Sequence, residues 1–241
     1  MDKSKALKIG VLTANILLAL AVTIGDIFYI LRGTLTIKSI TSALFVLMGI
    51  INFGYLLLTK GKDIRFPSIM LTGLVFAMLG DIILEVEFIV GAALFAIGHV
   101  FFFVAYCFLV KFKWTDLIYG AIIFVPAVLF ITLAPIFDFD GALMEVVCVV
   151  YAIIISCMVG KSIANLVREH NIPNLVILCG SVLFFISDLM LLLNIFASLP
   201  VVGMICLATY YPAEILLAVS ILFAKDKQPK LEENIETKKQ A

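Results

Sequence analysis

The sequence predicts an all-α integral membrane protein, a bundle of eight transmembrane helices with both termini in the cytoplasm. Hydrophobic residues make up 63% of the 241 residues, charged residues only 14%, and the mean hydropathy is +1.20. Soluble domains average ~25% charged residues. Apolar runs of ~20 residues, long enough to cross a bilayer, recur along the chain. Short connections separate these runs, which indicates a single eight-helix domain over residues 1–225.

Eight apolar runs, each bounded by charged residues, proline or glycine, define the predicted spans. They cover residues 9–31, 37–59, 66–86, 88–110, 115–135, 143–164, 173–196 and 201–224. Because the connections are short, we expect consecutive spans to be antiparallel neighbours. No small-residue cleavage site closely follows the first run, so it is expected to be a retained span rather than a signal peptide.

Basic residues collect at alternate ends of the spans. One side of the predicted bundle carries Lys3, Lys5, Lys8, Lys60, Lys62, Arg65, Lys111, Lys113, Lys161, Arg168, Lys225 and Lys227. The other side carries Arg32, Lys38, Glu85, Glu87, Asp138, Asp140 and Glu145. The positive-inside rule places the first side in the cytoplasm. Residues 226–241, rich in Lys, Glu and Gln, are expected to form a disordered cytoplasmic tail.

Several classes of function are disfavoured by what the chain lacks. It has no basic stripe suited to nucleic acid. It has only two histidines and neither an H-E-x-x-H nor a G-x-S-x-G motif, so zinc hydrolase and serine hydrolase sites are not expected. The five cysteines lie in apolar segments without C-x-x-C spacing, which favours packing over disulfides or metal binding. We therefore expect neither a metal nor a cofactor.

Two aspartates lie deep inside predicted spans. An ionised Asp at the centre of a membrane helix costs ~3 kcal/mol on insertion scales, so such residues are functional candidates by default. Asp81 lies 15 residues beyond Phe66, and Asp188 lies 15 residues beyond Pro173. Both are thus expected roughly 20 to 25 Å from the cytoplasmic edge, at one level in the outer half of the membrane. Two nearby carboxyl groups with different proton affinities suit general acid/base catalysis.

Further polar residues are expected near this level. Glu85 lies one turn after Asp81 on the same helix face, and Ser181 shares a face with Asp188, where it is a candidate to orient that carboxylate or a water. Asp26 reaches a similar depth and is a candidate for lining a pocket. Purely structural ion pairing of the aspartates with a lysine is the alternative to a catalytic role.

Five more candidates complete the predicted site. Lys38 lies at the start of the second span, on the side of the membrane nearer to the aspartates. Three roles are open for it: an ion-pair partner, a phosphate contact, or a residue that only snorkels to the interface. His99 lies in the middle of its span, where hydrogen-bonded packing is the alternative to chemistry. The last span carries Tyr210, Tyr211 and Glu214, and a glutamate at that depth needs a partner or a neutral form.

These residues fall in blocks that resemble the YhhN-like lysoplasmalogenase family in order and spacing. The blocks are Leu79-Gly80-Asp81 with Leu84, then Gly91, Phe95, His99 and Tyr106, then 180–188 (GSVLFFISD), then Thr209-Tyr210-Tyr211 with Leu216 and Leu217. Lys38 matches a lysine of that family as well. The likeness covers nearly all eight spans, and the blocks over 79–106 and 180–217 are its specific part.

The resemblance implies a membrane hydrolase that cleaves the vinyl ether bond of lysoplasmalogens. The products are a fatty aldehyde and glycerophosphocholine or glycerophosphoethanolamine. The paired aspartates of the family fall on Asp81 and Asp188. Lys38, Glu85, His99, Ser181, Tyr210, Tyr211 and Glu214 are then substrate-binding candidates. Members of the family tend to carry Gln where this chain has Glu214, and two consequences are open: the third carboxyl group retunes the pocket, or this member has a different substrate.

Vinyl ether hydrolysis fits the two-carboxylate interpretation. One carboxylic acid protonates the enol carbon, and the other, ionised, stabilises the oxocarbenium-like cation and activates water, as in glycosidases. We expect Asp188 to be the acid and Asp81 the base, with the reverse assignment left open. The expected partners are a lysophospholipid substrate and membrane lipids, in the cell membrane if the source is bacterial.

A non-enzymatic lipid-binding protein or a transporter is the competing hypothesis. The short recurring patterns Gly25-Asp26-Ile27, Gly80-Asp81-Ile82 and Ser187-Asp188-Leu189 are a weak hint of the internal repeats that transporters carry.

Overall fold

The computed structural model describes residues 3–59 and 63–225, and within them the chain is all helical. Eight long helices are present: α1 Lys3–Arg32, α2 Leu35–Leu58, α3 Arg65–Ile83, α4 Phe88–Leu109, α5 Asp116–Leu133, α6 Ala142–Arg168, α7 Ile172–Phe196 and α8 Val201–Ser220. A short 3₁₀ turn, Ile221–Phe223, extends α8. All eight are long and apolar enough to span a membrane, which confirms the predicted helical membrane bundle.

Local sequence signals start several helices. Thr34 precedes α2, and its side chain accepts a hydrogen bond from the Ile37 amide. Asn171 precedes α7 and accepts from the amide of Asn174. Gly33 takes a positive φ of 62° between α1 and α2, which a residue with a Cβ adopts only with strain. Side-chain caps at these ends satisfy amides that have no partner within the helix.

Small residues allow the closest helix contacts. The longest interfaces join α3 to α4, α7 to α8 and α5 to α6. In the α5–α6 pair, a Cβ at Gly160 would lie 2.5 Å from the Gly120 Cα. Helices in membranes approach this closely where glycine or alanine faces the partner.

The packing order differs from the expectation of sequential neighbours. α4 packs chiefly against α3 and α6 rather than against α5, and α5 lies along α6. α8 returns to α1 and α2 and so closes the bundle. The connection over residues 110–115 leaves room for α5 to lie outside α6, because a short link constrains neighbouring ends but not the full length of two helices.

Several predicted helix ends need correction; α6, for example, continues to Arg168, four residues beyond its predicted end. α1 begins at Lys3, before the predicted start, because Lys3, Lys5 and Lys8 are good helix formers. α3 ends at Ile83, so Glu85 lies in the turn to α4 rather than on the helix face of Asp81. The cytoplasmic location of both termini stays a prediction, and the predicted tail over 226–241 lies outside the described residues.

Candidate active site

The two aspartates come together at one cavity. It is an open cavity of about 670 Å³ near the ends of α3 and α7 that lie away from the basic loops. It is lined by Tyr29, Lys38, Asp81, Leu84, Glu85, Phe95, Ser187, Asp188, Leu191, Asn194, Gly203, Cys206, Leu207 and Tyr210. Helices α1, α2, α3, α4, α7 and α8 all contribute, so residues far apart in the sequence form a single polar chamber.

Asp81 is fixed by donors from two other helices. The Lys38 Nζ lies 3.1 Å from its Oδ1. The Ser42 hydroxyl donates to Oδ2 at 2.5 Å, and the Tyr211 hydroxyl donates to the same oxygen at 3.2 Å. Asp81 is only 3% exposed. Both carboxylate oxygens are thus occupied, and a cation with two hydroxyl donors stabilises the ionised form.

Lys38 bridges two carboxylates. Its Nζ donates to Glu85 Oε1 at 2.6 Å, and the Tyr29 hydroxyl donates to the same oxygen at 2.7 Å. Burial raises the pKa of the Glu85 carboxyl, but the Lys38 hydrogen bond and charge, with the Tyr29 hydrogen bond, outweigh burial and hold that pKa below its ordinary value. Lys38 was expected to be an ion-pair partner, a phosphate contact or a snorkelling residue, and the structure shows it as the ion-pair partner of Asp81 and Glu85.

Asp188 occupies a different environment. On one oxygen, Oδ2, it accepts a hydrogen bond from the Tyr151 hydroxyl at 2.7 Å, and the His99 Nε2 lies 3.2 Å from that oxygen. The same His99 nitrogen is 2.8 Å from the Tyr151 hydroxyl. No lysine or arginine in the described part of the chain pairs with Asp188, whose side chain is 12% exposed. Helices α4, α6 and α7 therefore meet at this carboxyl group.

A second cavity, of about 740 Å³, lies on the other side of Asp188. Its lining is almost wholly apolar and comes mainly from α4, α5, α6 and α7. The two cavities share four lining residues: Leu84, Phe95, Asp188 and Leu191. In the lining of the apolar cavity, the rings of Phe88 and Phe196 meet edge to face, with centroids 5.5 Å apart. Asp188 is therefore the polar group at the junction of a charged chamber and an apolar one.

Some predicted site residues lie elsewhere. Ser181 does not orient Asp188; its hydroxyl donates to the Ile177 carbonyl at 2.8 Å and pairs with the Tyr106 hydroxyl at 2.9 Å. Two residues whose positions differ by seven face the same side of a helix but are two turns apart along it, too far for direct contact. Asp26 is buried but is not among the residues that line either cavity.

The tyrosines and the glutamate of α8 occupy separate positions. Tyr211 contacts Asp81, as described above, whereas Tyr210 lines the polar cavity and donates to the Ala77 carbonyl at 3.4 Å. Glu214 is fully buried, and neither oxygen has a well-formed hydrogen bond within the described residues. The Tyr210 hydroxyl is close enough to interact with Glu214, but its hydrogen bond goes to Ala77.

Sequence reasoning missed Tyr151 and Tyr29 as parts of the site. Tyr151 lies in an apolar stretch of α6 with no charged residue within five positions, so nothing local indicates a carboxylate partner. Tyr29 follows Asp26 by three residues, and that proximity was its only local signal. Both contacts depend on how distant helices pack.

The fold and the site define a class: a multi-pass membrane protein with eight long apolar helices in the described residues, in which a buried aspartate, Asp81, and a partly buried one, Asp188, line the same cavity. A family model for the YhhN family matches residues 34–221. The chain belongs to the YhhN family, as the residue blocks predicted. A search of curated proteins and a search of solved structures each found no match.

Proposed function

We propose that this protein is a lysoplasmalogenase, a hydrolase that cleaves the vinyl ether bond of single-chain ether phospholipids. One observation carries the proposal: Asp188 lies where a charged cavity and an apolar cavity meet. A lysoplasmalogen has the same division, since its vinyl ether joins a polar glycerophospho head to a hydrocarbon chain. Membership of the YhhN family is consistent with a hydrolase.

The cavities suggest how the substrate is held. The hydrocarbon chain occupies the apolar cavity between α4, α5, α6 and α7, where burial of apolar surface contributes about 25 cal/mol per Å². The glycerophospho head occupies the polar cavity, with its phosphate near Lys38 and the Asn194 amide and a cationic ethanolamine or choline group near Glu85. This placement brings the vinyl ether next to Asp188 and positions water on the side of Asp81.

The two carboxyl groups can complete the reaction without an external proton. Asp188 gives its proton to the alkenyl carbon, which leaves a carboxylate and an oxocarbenium-like cation. Water attacks the cationic carbon and loses a proton to Asp81, which forms a hemiacetal. As the hemiacetal collapses, Asp81 protonates the departing glycerol oxygen and Asp188 takes the hydroxyl proton. The aldehyde and the glycerophospho alcohol leave, and both aspartates return to their starting states.

The surroundings of each aspartate support this assignment. Asp81 contacts the Lys38 ammonium and two hydroxyl donors, which suits a group that starts ionised. Asp188 lacks a Lys or Arg partner within the described residues, and its side chain borders an apolar cavity, which suits a group that starts neutral. Pairs of carboxyl groups in contrasting environments divide acid and base roles in the same way in glycosidases.

The test is aldehyde release from a lysoplasmenylethanolamine by purified protein in detergent. We expect Asp81→Asn and Asp188→Asn each to lower kcat by at least about 100-fold, the usual contribution of general acid/base groups. Asp26→Asn is the matched control, because it changes a buried aspartate that lines neither cavity, and should retain near wild-type turnover. Turnover in detergent needs no gradient, so it also separates an enzyme from a transporter.

Two results would contradict the proposal. If either Asp81→Asn or Asp188→Asn kept wild-type turnover, the two-carboxylate mechanism would be wrong. If the wild-type protein bound the lysolipid but released no aldehyde, the lipid-binding or transport alternative would replace hydrolysis.

A further inference from the structure

The protein holds Asp188 through only one of its two carboxyl oxygens. Both of its close contacts, Tyr151 and His99, fall on Oδ2. The other oxygen, Oδ1, has no hydrogen bond within the described residues, and Asp188 borders both cavities. The two oxygens of this carboxyl group are therefore not equivalent: one is held by the protein and the other remains for the substrate.

Once the direction of one of these contacts is given, the number of available hydrogens sets the direction of the other. A tyrosine hydroxyl has a single hydrogen, and the shorter of its two contacts, 2.7 Å, is to Asp188 Oδ2. If Tyr151 donates there, it must accept at its 2.8 Å contact with the His99 Nε2. His99 then carries its proton on Nε2, and the three groups form a directed chain from His99 through Tyr151 to Asp188.

The opposite ring nitrogen of His99 agrees with this direction. His99 is 1% exposed, and its Nδ1 is buried without a hydrogen-bond partner in the described part of the chain. A proton on Nδ1 would be a buried donor with no acceptor, which costs about 1 to 3 kcal/mol. The Nε2–H tautomer leaves Nδ1 as an acceptor instead of a donor, and it is the tautomer that lets the Tyr151 hydroxyl donate to Asp188, so we assign the His99 proton to Nε2.

We propose that Tyr151 is a positioning residue of the hydrolase: it holds Asp188 Oδ2 as an acceptor, so that the proton given to the substrate sits on Oδ1. This inference rests on the proposed function. After Asp188 gives its proton to the alkenyl carbon, the hydrogen bond from the Tyr151 hydroxyl to Oδ2 remains and stabilises the new carboxylate. No proton passes through Tyr151, and His99 orients the Tyr151 hydroxyl by donating to its oxygen.

The chain offers a matched pair of variants. Tyr151→Phe keeps the ring that meets His99 edge to face at 5.5 Å and removes only the hydroxyl. Tyr106→Phe makes the same change at another tyrosine whose hydroxyl pairs with Ser181 rather than with a carboxylate. We expect Tyr151→Phe to lower kcat by about 10- to 100-fold, the loss of one hydrogen bond to a charged group, with KM nearly unchanged. Tyr106→Phe should stay within about threefold of wild type.

A spectroscopic measurement tests the hydrogen-bond chain without turnover. In ¹⁵N-histidine-labelled protein, we expect His99 to show a protonated Nε2 and an unprotonated Nδ1, with His170→Gln used to assign the two histidine signals. Tyr151→Phe should shift the Nε2 signal, and Tyr106→Phe should leave it in place. A proton on Nδ1, or a signal unmoved by Tyr151→Phe, would overturn the inference.

The kinetic outcomes separate this inference from the proposed function. Wild-type kcat in Tyr151→Phe would overturn the positioning role while leaving two-carboxylate hydrolysis intact. No vinyl ether turnover by wild-type protein would refute the proposed function and with it the positioning role of Tyr151 in hydrolysis. The ¹⁵N signals would in that case still decide whether the His99–Tyr151–Asp188 chain exists.

Discussion

At the scale of single residues, the site depends on how charge is balanced in a medium that solvates it poorly. The polar cavity holds one lysine, Lys38, against two carboxylates, Asp81 and Glu85. An unpaired charge in such an environment is costly, and the usual outcome is pairing or neutralisation. Asp81 is paired and Asp188 has no cationic lysine or arginine partner in the described part of the chain, which is the basis for giving them different roles.

Replacing Lys38 by methionine should reveal this balance. Lys38→Met leaves Asp81 buried with hydroxyl donors only, and breaking a buried ion pair in this way costs about 3 to 5 kcal/mol. We expect a lower midpoint of thermal unfolding in detergent and loss of aldehyde release. The double variant Lys38→Met/Asp81→Asn should regain most of the stability but no activity. A double variant as unstable as Lys38→Met would show that Lys38 stabilises the fold by other contacts.

Glu85 supplies a prediction about pH. Its folded-state pKa lies below the ordinary value of 4.5, so the ionised group stabilises the folded protein above that pH. The stabilisation is lost as the pH falls through the folded-state pKa. The difference in unfolding midpoint between wild type and Glu85→Gln should therefore be constant above about pH 5 and shrink below 4.5. Glu145→Gln, measured in parallel, controls for the loss of a carboxyl group outside the site.

The sequence predicted the aspartates but not their hydrogen-bond partners, for a physical reason. A carboxylate in an apolar run stands out because its burial is costly wherever its helix packs. Tyr151 carries no such cost, since a tyrosine in a membrane helix is unremarkable until a partner approaches its hydroxyl. Ser181 illustrates the opposite error, because sharing a helix face with Asp188 did not bring the two side chains into contact.

At the scale of helices, hydropathy located all eight spans but could not give their neighbours. Length and composition decide whether a helix spans a membrane. Which helices touch depends instead on small residues and polar pairs that act at long range in the sequence. The Asn15–Asn52 pair, for example, joins α1 to α2, and Asn52 also donates to the Ala218 carbonyl of α8. These contacts close the bundle, and no local sequence pattern predicts them.

The α5–α6 interface gives a prediction at this scale. A Cβ at Gly160 would lie 2.5 Å from the Gly120 Cα and 2.9 Å from the Tyr119 carbonyl carbon, so backbone would have to move. Because α5 packs mainly on α6, Gly160→Ala should loosen α5 and lower the midpoint of thermal unfolding in detergent. Gly10→Ala, where the added Cβ meets nothing within 4 Å, is the control and should be neutral or slightly stabilising. Equal midpoints for the two variants would contradict close packing at Gly160.

At the scale of the whole molecule, two features combine to predict the side from which substrate enters. The polar cavity lies between the ends of α3 and α7 that are opposite to the basic loops. At the other end, two ion pairs join α6 to the start of α5. Lys161 and Arg168 of α6 lie 2.9 and 2.6 Å from the Asp116 carboxylate. The positive-inside rule assigns that basic end to the cytoplasm, so the cavity is expected to face the exterior.

Sealed membranes of known orientation can test this prediction. Lysoplasmenylethanolamine added outside right-side-out vesicles should be cleaved, with glycerophosphoethanolamine released to the outside medium. Sealed inverted vesicles should cleave it slowly until detergent opens them, because a phospholipid head crosses a bilayer slowly. A reporter fused to the C-terminus and assayed for protease protection in the same vesicles fixes the orientation independently. Suppose instead that sealed inverted vesicles cleave the lipid faster than right-side-out vesicles, with the C-terminus confirmed as cytoplasmic. Substrate would then enter from the cytoplasmic side, and the polar cavity would not be the entry site.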